Sequence, residues 1–97
     1  MRLVQPTDFD ILAALSDGKR NTAANIAQLI DKNRGYINTR LPILADYGLV
    51  DRVGPALNSG LYVITARGRT AVEHRDQYGE SDVAFEEVLD NESATHR

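Results

Sequence analysis

Cysteine and tryptophan are absent from this 97-residue sequence. Without cysteine the chain has neither a disulfide framework nor thiolate metal ligands, and His74 and His96 lack the spacing of a metal site. No hydrophobic run approaches the roughly 18 residues of a membrane span, and "MRLVQPTDFD" at the N-terminus lacks the hydrophobic core of a signal peptide. We therefore expect a cytoplasmic protein that binds neither a metal nor another cofactor.

The sequence also lacks the signatures of catalysis. It contains no recognisable nucleophile–base pair, phosphate-binding loop or metal cluster, so we predict that the protein is not an enzyme. What it does have is 42% hydrophobic residues, which is enough for the small core of one domain.

The charges are unevenly distributed along the chain. Residues 1–72 contain nine Lys and Arg against six Asp and Glu, whereas residues 73–97 contain two against eight. The whole chain has a net charge of −3. Lysine is scarce and aspartate is abundant, which resembles the proteomes of salt-loving archaea. At about 1 M salt the Debye length is only about 3 Å, so repulsion between an acidic protein and DNA is largely screened. The acidic balance therefore does not exclude a nucleic-acid partner.

The first part of the chain predicts two short amphipathic helices. One covers residues 8–16 and begins at Thr7, with Asp10 in the capping-box position. The other begins after Asn21 or Thr22, either of which can cap it, and it has hydrophobic residues on one face.

A third helix is predicted over residues 34–47, capped by Asn33 and closed by Gly48. A short polar turn joins it to the second helix, which gives the helix-turn-helix arrangement. Pro42 lies inside the third helix and removes the hydrogen bond to the Asn38 carbonyl, at a cost of about 3 kcal/mol. Because the hydrophobic pattern continues beyond Pro42, we predict one kinked helix and not two.

After the third helix the periodicity changes to that of strands. Residues 49–53 and 61–65 are predicted strands around a turn-rich tip, and residues 19–21 offer a short third strand. Thr65 caps a fourth helix that ends near Tyr78. Residues 1–78 thus predict an α+β, mostly helical domain: a winged helix-turn-helix with a two- or three-stranded antiparallel wing sheet.

Residues 79–97 form an acidic C-terminal segment. Ser81 can cap a short helix near residues 81–90, in which Phe85, Val88 and Leu89 share one face, and the last residues are expected to fray. This hydrophobic stripe is too short to be a stable helix alone. It packs on its own domain against the fourth helix, packs on a second copy of the chain, or stays loose.

The stretch "NIAQLIDKNRGYINTRLPILADYGLVDRV…SGLYVITARGR" resembles the winged helix-turn-helix transcriptional regulators of haloarchaea, a group that includes halophage repressor-like proteins. The likeness covers roughly residues 8–78 and departs from the usual pattern at Pro42, where a polar residue is more common. It implies a DNA-binding regulator, here expected to be a repressor, that acts as a homodimer on double-stranded DNA. Helix one and the acidic segment are the candidate dimer surfaces, and a small-molecule effector is unknown.

The exposed face of the third helix carries residues suited to reading bases in the major groove, because the N-terminal residues of a recognition helix do so. On a helical wheel Ile37, Leu41, Leu44 and Gly48 face the core. The predicted base-reading residues are Arg34, Gly35, Tyr36, Asn38 and Thr39. Ordinary solvated helix residues, or core packing in the case of Tyr36, are the alternatives.

Other polar residues are candidates for contacts with the DNA backbone, with the wing at residues 54–60 reaching the flanking backbone or minor groove. They are Lys19, Arg20, Arg40, Arg52, Asn58, Ser59, Arg67 and Arg69. A solvated surface arginine is the alternative for several, and a salt bridge to Asp46 or Asp51 is the alternative for Arg40. The rival function is a winged-helix module that binds another protein, which an apolar groove at the third helix would favour.

Overall fold

The computed structural model describes residues 1–54, 60–78 and 85–90. Helices dominate this part of the chain, and three short strands form its sheet. In order, the elements are α1 (Thr7–Ala14), β1 (Asn21–Thr22), α2 (Ala23–Ile30), α3 (Arg34–Asp46), β2 (Val50–Val53), β3 (Leu61–Ile64) and α4 (Ala66–Glu73), followed by a 3-10 turn at Arg75–Gln77. Residues 85–90 are also helical.

Side-chain caps begin α2, α3 and α4 at residues that the sequence indicates. Thr22, Asn33 and Thr65 each accept a hydrogen bond from the backbone N–H three residues later, at 3.3, 3.1 and 3.0 Å respectively. Each bond satisfies a donor that the first helical turn otherwise leaves unpaired. These three predicted helix starts are therefore confirmed.

The start of α1 differs from the prediction. Thr7 is the first helical residue and is buried, and the helix has no side-chain cap. The backbone N–H groups of Asp8 and Asp10 donate instead to the carbonyls of Val4 and Pro6, at 2.8 and 2.9 Å. Because the preceding turn of backbone satisfies these donors, no capping side chain is needed. The capping-box prediction for Thr7 and Asp10 is wrong.

The third helix is continuous through Pro42, as the hydrophobic pattern predicts. At its C-terminus Gly48 has a φ of 79°, its N–H donates to the Ala45 carbonyl, and the Leu49 N–H donates to the Leu44 carbonyl. This pair of bonds is the Schellman motif, in which glycine adopts the left-handed conformation without a Cβ clash. The predicted closing role of Gly48 is confirmed, and the bend at Pro42 stays a prediction.

The sheet is antiparallel with the strand order β1–β3–β2. Val50 lies opposite Ile64 in the β2–β3 pair, and Asn21 lies opposite Tyr62 in the β1–β3 pair. The short third strand therefore exists, at residues 21–22 instead of 19–21. The three-stranded form of the predicted wing sheet is confirmed.

The acidic segment contributes to the hydrophobic core. Phe85 and Leu89 are fully buried. The Phe85 ring packs edge-on against Phe9 of α1 and against Tyr78, with ring centroids 5.9 and 5.1 Å apart. Of the places left open for this stripe, the structure shows packing on the chain's own first helix. The proposed cap Ser81 lies outside the described residues.

None of the helices in the described part of the chain combines the length and the hydrophobicity that crossing a bilayer requires. Within the same residues, His, Asp and Glu side chains do not gather into a group of three that could hold a metal ion.

Candidate nucleic-acid interface

The N-terminal half of α3 has one buried face and one exposed face. Ile37, Leu41 and Leu44 are completely buried in the core, as the helical wheel predicts. The opposite face is exposed and carries the five predicted base-reading residues, which we call the exposed row: Arg34, Gly35, Tyr36, Asn38 and Thr39. The predicted exposure of these side chains is confirmed. Their contact with DNA stays a prediction.

The exposed row offers chemistry that suits base edges. The Arg34 guanidinium can donate two parallel hydrogen bonds to guanine, and the Asn38 amide can both donate to and accept from adenine. The Thr39 hydroxyl donates to the Gly35 carbonyl at 3.1 Å, so its methyl group and oxygen lone pairs are what remain for a partner. A row of this kind distinguishes bases by hydrogen-bond geometry more than by charge.

Gly35 has a local reason to lack a side chain. A Cβ atom at this position would lie 3.0 Å from Oδ1 of Asn33, the oxygen that caps α3. The glycine therefore leaves room for the cap at the start of the helix. Close approach of its backbone to DNA, which the sequence suggested, is a separate property that stays a prediction.

Arg40 is held inside the protein. Its Nε donates to Oδ1 of Asp8 at 3.0 Å and its Nη2 donates to Oδ2 at 2.7 Å. The hydrogen bond to Asp8 raises the pKa of Arg40 above its ordinary value, opposed by burial and reinforced by the negative charge of Asp8. The partner is neither Asp46 nor Asp51, which corrects the predicted salt bridge. Two guanidinium nitrogens of Arg40 are occupied in this way, and its predicted phosphate contact stays a prediction.

Two arginines of α4 also make contacts within the chain. Arg67 is half-buried, donates to the Tyr47 carbonyl at 3.2 Å and pairs with Asp90. Arg69 is exposed and donates to the Ser16 carbonyl at 2.8 Å. Arg67 thus closes the C-terminal end of α3, which is a structural role that the sequence did not indicate.

The remaining backbone candidates are exposed or undescribed. Lys19 and Arg20 lie exposed in the turn before β1. Arg52 is exposed on β2, and the hydrogen bond from its Nε to the Tyr62 hydroxyl, 3.4 Å long, raises the pKa of Arg52. Asn58 and Ser59, the predicted wing-tip contacts, lie outside the described residues.

The structure adds residues of α2 to this surface. An open groove of about 480 Å³ lies between α2 and α3, and its lining includes Asn25, Gln28, Lys32 and Arg34. Asn25 and Gln28 are exposed and lie three residues apart on one face of α2, and the Asn25 side-chain amide donates to Oδ1 of Asn21 in β1 at 3.1 Å. That spacing was the signal in the sequence that could have identified them.

Comparison with known proteins finds a structural likeness and no sequence match. No protein-family profile and no curated protein matches the chain. The oxidised form of MarR from E. coli superposes with a TM-score of 0.62 at 22% identity, covering 91% of this chain and 63% of that one. RV1404 from Mycobacterium tuberculosis gives a TM-score of 0.63 at 22% identity, covering 95% and 57%. This chain spans less than two thirds of either protein.

A haloarchaeal structure is similar over nearly its whole length. RosR from H. salinarum superposes with a TM-score of 0.59 at 18% identity, and the match covers 97% of both chains. These neighbours are of the MarR and RosR type, not of the halophage repressor-like family that the sequence motifs resemble. At these identities the likeness establishes the fold, which is a mostly helical winged helix with a three-stranded antiparallel sheet.

Proposed function

We propose that the protein is a sequence-specific regulator of transcription that binds double-stranded DNA. The N-terminal half of α3 enters the major groove, and the wing between β2 and β3 lies against the flanking backbone or minor groove. The observation that carries this proposal is the exposed row on α3, held outward by a completely buried opposite face. A helix presented in this way matches the recognition helix of helix-turn-helix proteins.

Short-range contacts dominate the proposed interface. Apart from Arg34 and the turn residues Asp31 and Lys32, its members on α2 and α3 are neutral side chains such as Asn25, Gln28 and Asn38. Each phosphate contact made by a cation loses affinity as salt rises, because counterion release is then worth less. An interface of amides and hydroxyls suffers less from this loss, which suits the acidic, arginine-rich composition of the chain.

The proposed regulator acts in the cytoplasm, binds DNA as a homodimer and represses transcription. Two copies related by a two-fold axis place their α3 helices about 34 Å apart, one turn of DNA, so the proposed target is an inverted repeat. Occupation of such a site at a promoter blocks access for other proteins. The relatives of this fold named above support a regulator, and the repressor role and dimer are part of the proposal.

Selection of bound sites from random double-stranded DNA at high potassium chloride tests the proposal directly. We expect an inverted repeat whose half-sites contain guanine and adenine at neighbouring positions, because Arg34 and Asn38 favour these bases. Recovery of no preferred sequence over several rounds would contradict sequence-specific binding. Recovery of a single half-site without an inverted copy would support sequence-specific DNA binding and contradict the proposed homodimer.

The double variant Asn38→Ala/Thr39→Ala tests the role of the exposed row. We expect it to lose discrimination between the selected site and unrelated DNA, while its free energy of unfolding stays within about 0.5 kcal/mol of the original, because both side chains are exposed. Affinity is measured by fluorescence anisotropy and stability by urea unfolding. Gln77→Ala, an exposed amide outside α2, α3 and the wing, is the control. Unchanged discrimination in the double variant would place base reading elsewhere.

The rival function, binding to a protein partner through α3, requires an apolar surface there. The exposed row is polar except for the half-exposed ring of Tyr36, which is 39% exposed. Leu29, the more exposed large hydrophobic residue at 65%, lies on α2 in a shallow groove beside Ala13, Ala14 and Ile30. The character of α3 itself therefore favours DNA over a protein as its partner.

A further inference from the structure

Asp8 is a fully buried carboxylate whose hydrogen bonds come from two directions. Its Oδ2 accepts from the Val4 backbone N–H at 2.7 Å and from Nη2 of Arg40, also at 2.7 Å. Its Oδ1 accepts from Nε of Arg40 at 3.0 Å. The Arg40 side chain is only 13% exposed. A planar guanidinium thus meets a planar carboxylate through two parallel bonds, with the carboxylate fully buried and the guanidinium largely so.

This ion pair joins α1 to the middle of α3, immediately after the exposed row. Arg40 follows Thr39 directly and follows Asn38 by two residues, so a change in the position of its side chain rotates both. The apolar contacts on the opposite face of α3 are non-directional and tolerate repacking. A bidentate arginine–carboxylate pair, in contrast, has a fixed planar geometry and tolerates little change in the positions of its two side chains. The pair is therefore the contact that fixes the rotation of α3 about its axis.

A second polar contact lies on the same edge of α3. The Tyr47 side chain is seven residues, or two helical turns, beyond Arg40, and its hydroxyl accepts from the Arg2 backbone N–H at 3.1 Å. Nη2 of Arg40 also reaches the Arg2 carbonyl at 3.4 Å. The segment at residues 2–8 therefore contacts α3 at two points along one line, which restrains rotation and tilt together.

Stability alone does not explain a buried pair of this kind. Replacing a buried ion pair with neutral or apolar groups of similar volume is often neutral or stabilising, because the desolvation of two charges offsets their attraction. What such a replacement loses is the directional fit. The consequence of the pair for the fold is thus the orientation of α3 more than its free energy.

We propose that Asp8 and Arg40 are positioning residues for base recognition. They hold the exposed row of α3 at the rotation that presents Asn38 and Thr39 to the base edges, without touching DNA themselves. This inference rests on the proposed function, since it states how the same surface acquires its specificity. It also replaces the phosphate contact that the sequence predicted for Arg40.

The variant Asp8→Asn/Arg40→Met separates positioning from stability. Asparagine keeps an acceptor for the Val4 N–H. Methionine keeps the apolar stem of Arg40 but removes its charge and its two parallel hydrogen-bond donors. We expect the ratio of affinities for the selected site and unrelated DNA to fall by about tenfold, the value of one lost base contact, with affinity for unrelated DNA nearly unchanged. An unchanged ratio in a folded variant would overturn the proposal.

Arg40→Lys covers the case in which the double variant does not fold. Lysine keeps the charge pair with Asp8 but donates as a point charge, without the two parallel bonds. We expect a smaller fall in the same ratio with a cooperative unfolding transition retained. Equal losses for the selected site and unrelated DNA would instead indicate the original phosphate contact and would refute the positioning role.

A measurement without DNA distinguishes failure of this inference from failure of the proposed function. The chain has no cysteine, so spin labels can be attached solely at Ala13→Cys on α1 and Asn38→Cys on α3. We expect the distance distribution between the labels to broaden or shift when Asp8→Asn/Arg40→Met is added. An unchanged distribution would overturn the inference even if DNA binding is confirmed. A changed distribution in a protein without DNA preference would refute the proposed function alone.

Discussion

The two ends of α3 are built in opposite ways. At the N-terminal end one side chain, Asn33, caps the helix and the residues that follow project into solvent. At the C-terminal end three successive carbonyls are bound by the start of α4. Tyr47 accepts from Arg67 at 3.2 Å, Gly48 accepts from the Thr65 hydroxyl at 2.6 Å, and Leu49 accepts from the Thr65 N–H at 3.1 Å.

The difference shows how one helix serves both a core and a ligand. The C-terminal end is held by hydrogen bonds that come from elsewhere in the chain, so it anchors the helix to the start of α4. The N-terminal end is stabilised locally, by a cap that occupies one residue, and its side chains stay available for a partner. Substitutions at the two ends should therefore differ in their effect on folding.

The largest effect is expected for Gly68→Ala, next to the fastened end. A Cβ atom at position 68 would lie 2.1 Å from the carbonyl oxygen of Leu49, the residue before β2, so the backbone of α4 must move away from Leu49. We expect a loss of about 3 kcal/mol in the free energy of unfolding, measured in urea.

Gly35→Ala is the matched substitution at the open end. There the nearest atom is the Asn33 side chain, and the gain in helix propensity, up to about 1 kcal/mol, opposes the crowding. Near-neutral stability is expected. Equal losses at both positions would remove the contrast between the two ends.

An intermediate effect is expected for Gly48→Ala. With a φ of 79°, an alanine here adopts the left-handed conformation, at a cost of roughly 1–2 kcal/mol. Thermal unfolding measures this loss. Gly48→Asn is the comparison, because asparagine tolerates that conformation better and should lose less. The same loss in both variants would mean that the Schellman motif does not limit stability.

A loss smaller than that of Gly48→Ala is expected for Asn33→Ala, which removes the cap of the open end. We expect a loss of about 1 kcal/mol from the unpaired Tyr36 N–H, seen as a lower midpoint in urea. Asn33→Asp keeps the acceptor and should restore the midpoint, while adding a negative charge beside the proposed DNA surface. A loss as large as that of Gly68→Ala would show that the N-terminal end of α3 contributes as much to the stability of the fold as the C-terminal end.

Local features of this fold could be predicted from the sequence because their causes are local. The caps at Thr22, Asn33 and Thr65 each bond to an N–H three residues away, and the exposure of Asn38 follows from helical periodicity. The turn from α3 to β2 was predictable from Gly48 for the same reason. The winged-helix architecture follows from the order of such elements.

Contacts between distant residues could not be predicted in this way. Arg40 pairs with Asp8, 32 residues away, although five aspartates lie closer in sequence. Arg67 pairs with Asp90, 23 residues away, across the change in composition near residue 73. Charge and spacing show that an arginine needs a partner, but the partner's identity depends on how the helices pack. For this reason the exposed row was predictable and the arginines around it were not.

The aromatic cluster of Phe9, Tyr78 and Phe85 has a practical consequence for any shortened version of the chain. Truncating the chain near residue 73, where the acidic residues begin, would remove Tyr78 and Phe85, which pack against Phe9. The Phe9 ring, now fully buried, would then be exposed to solvent. Residues 73–97 thus carry both the excess of negative charge and side chains that complete the hydrophobic core. A more basic protein is better sought by replacing Glu87 or another exposed carboxylate than by deleting the end of the chain.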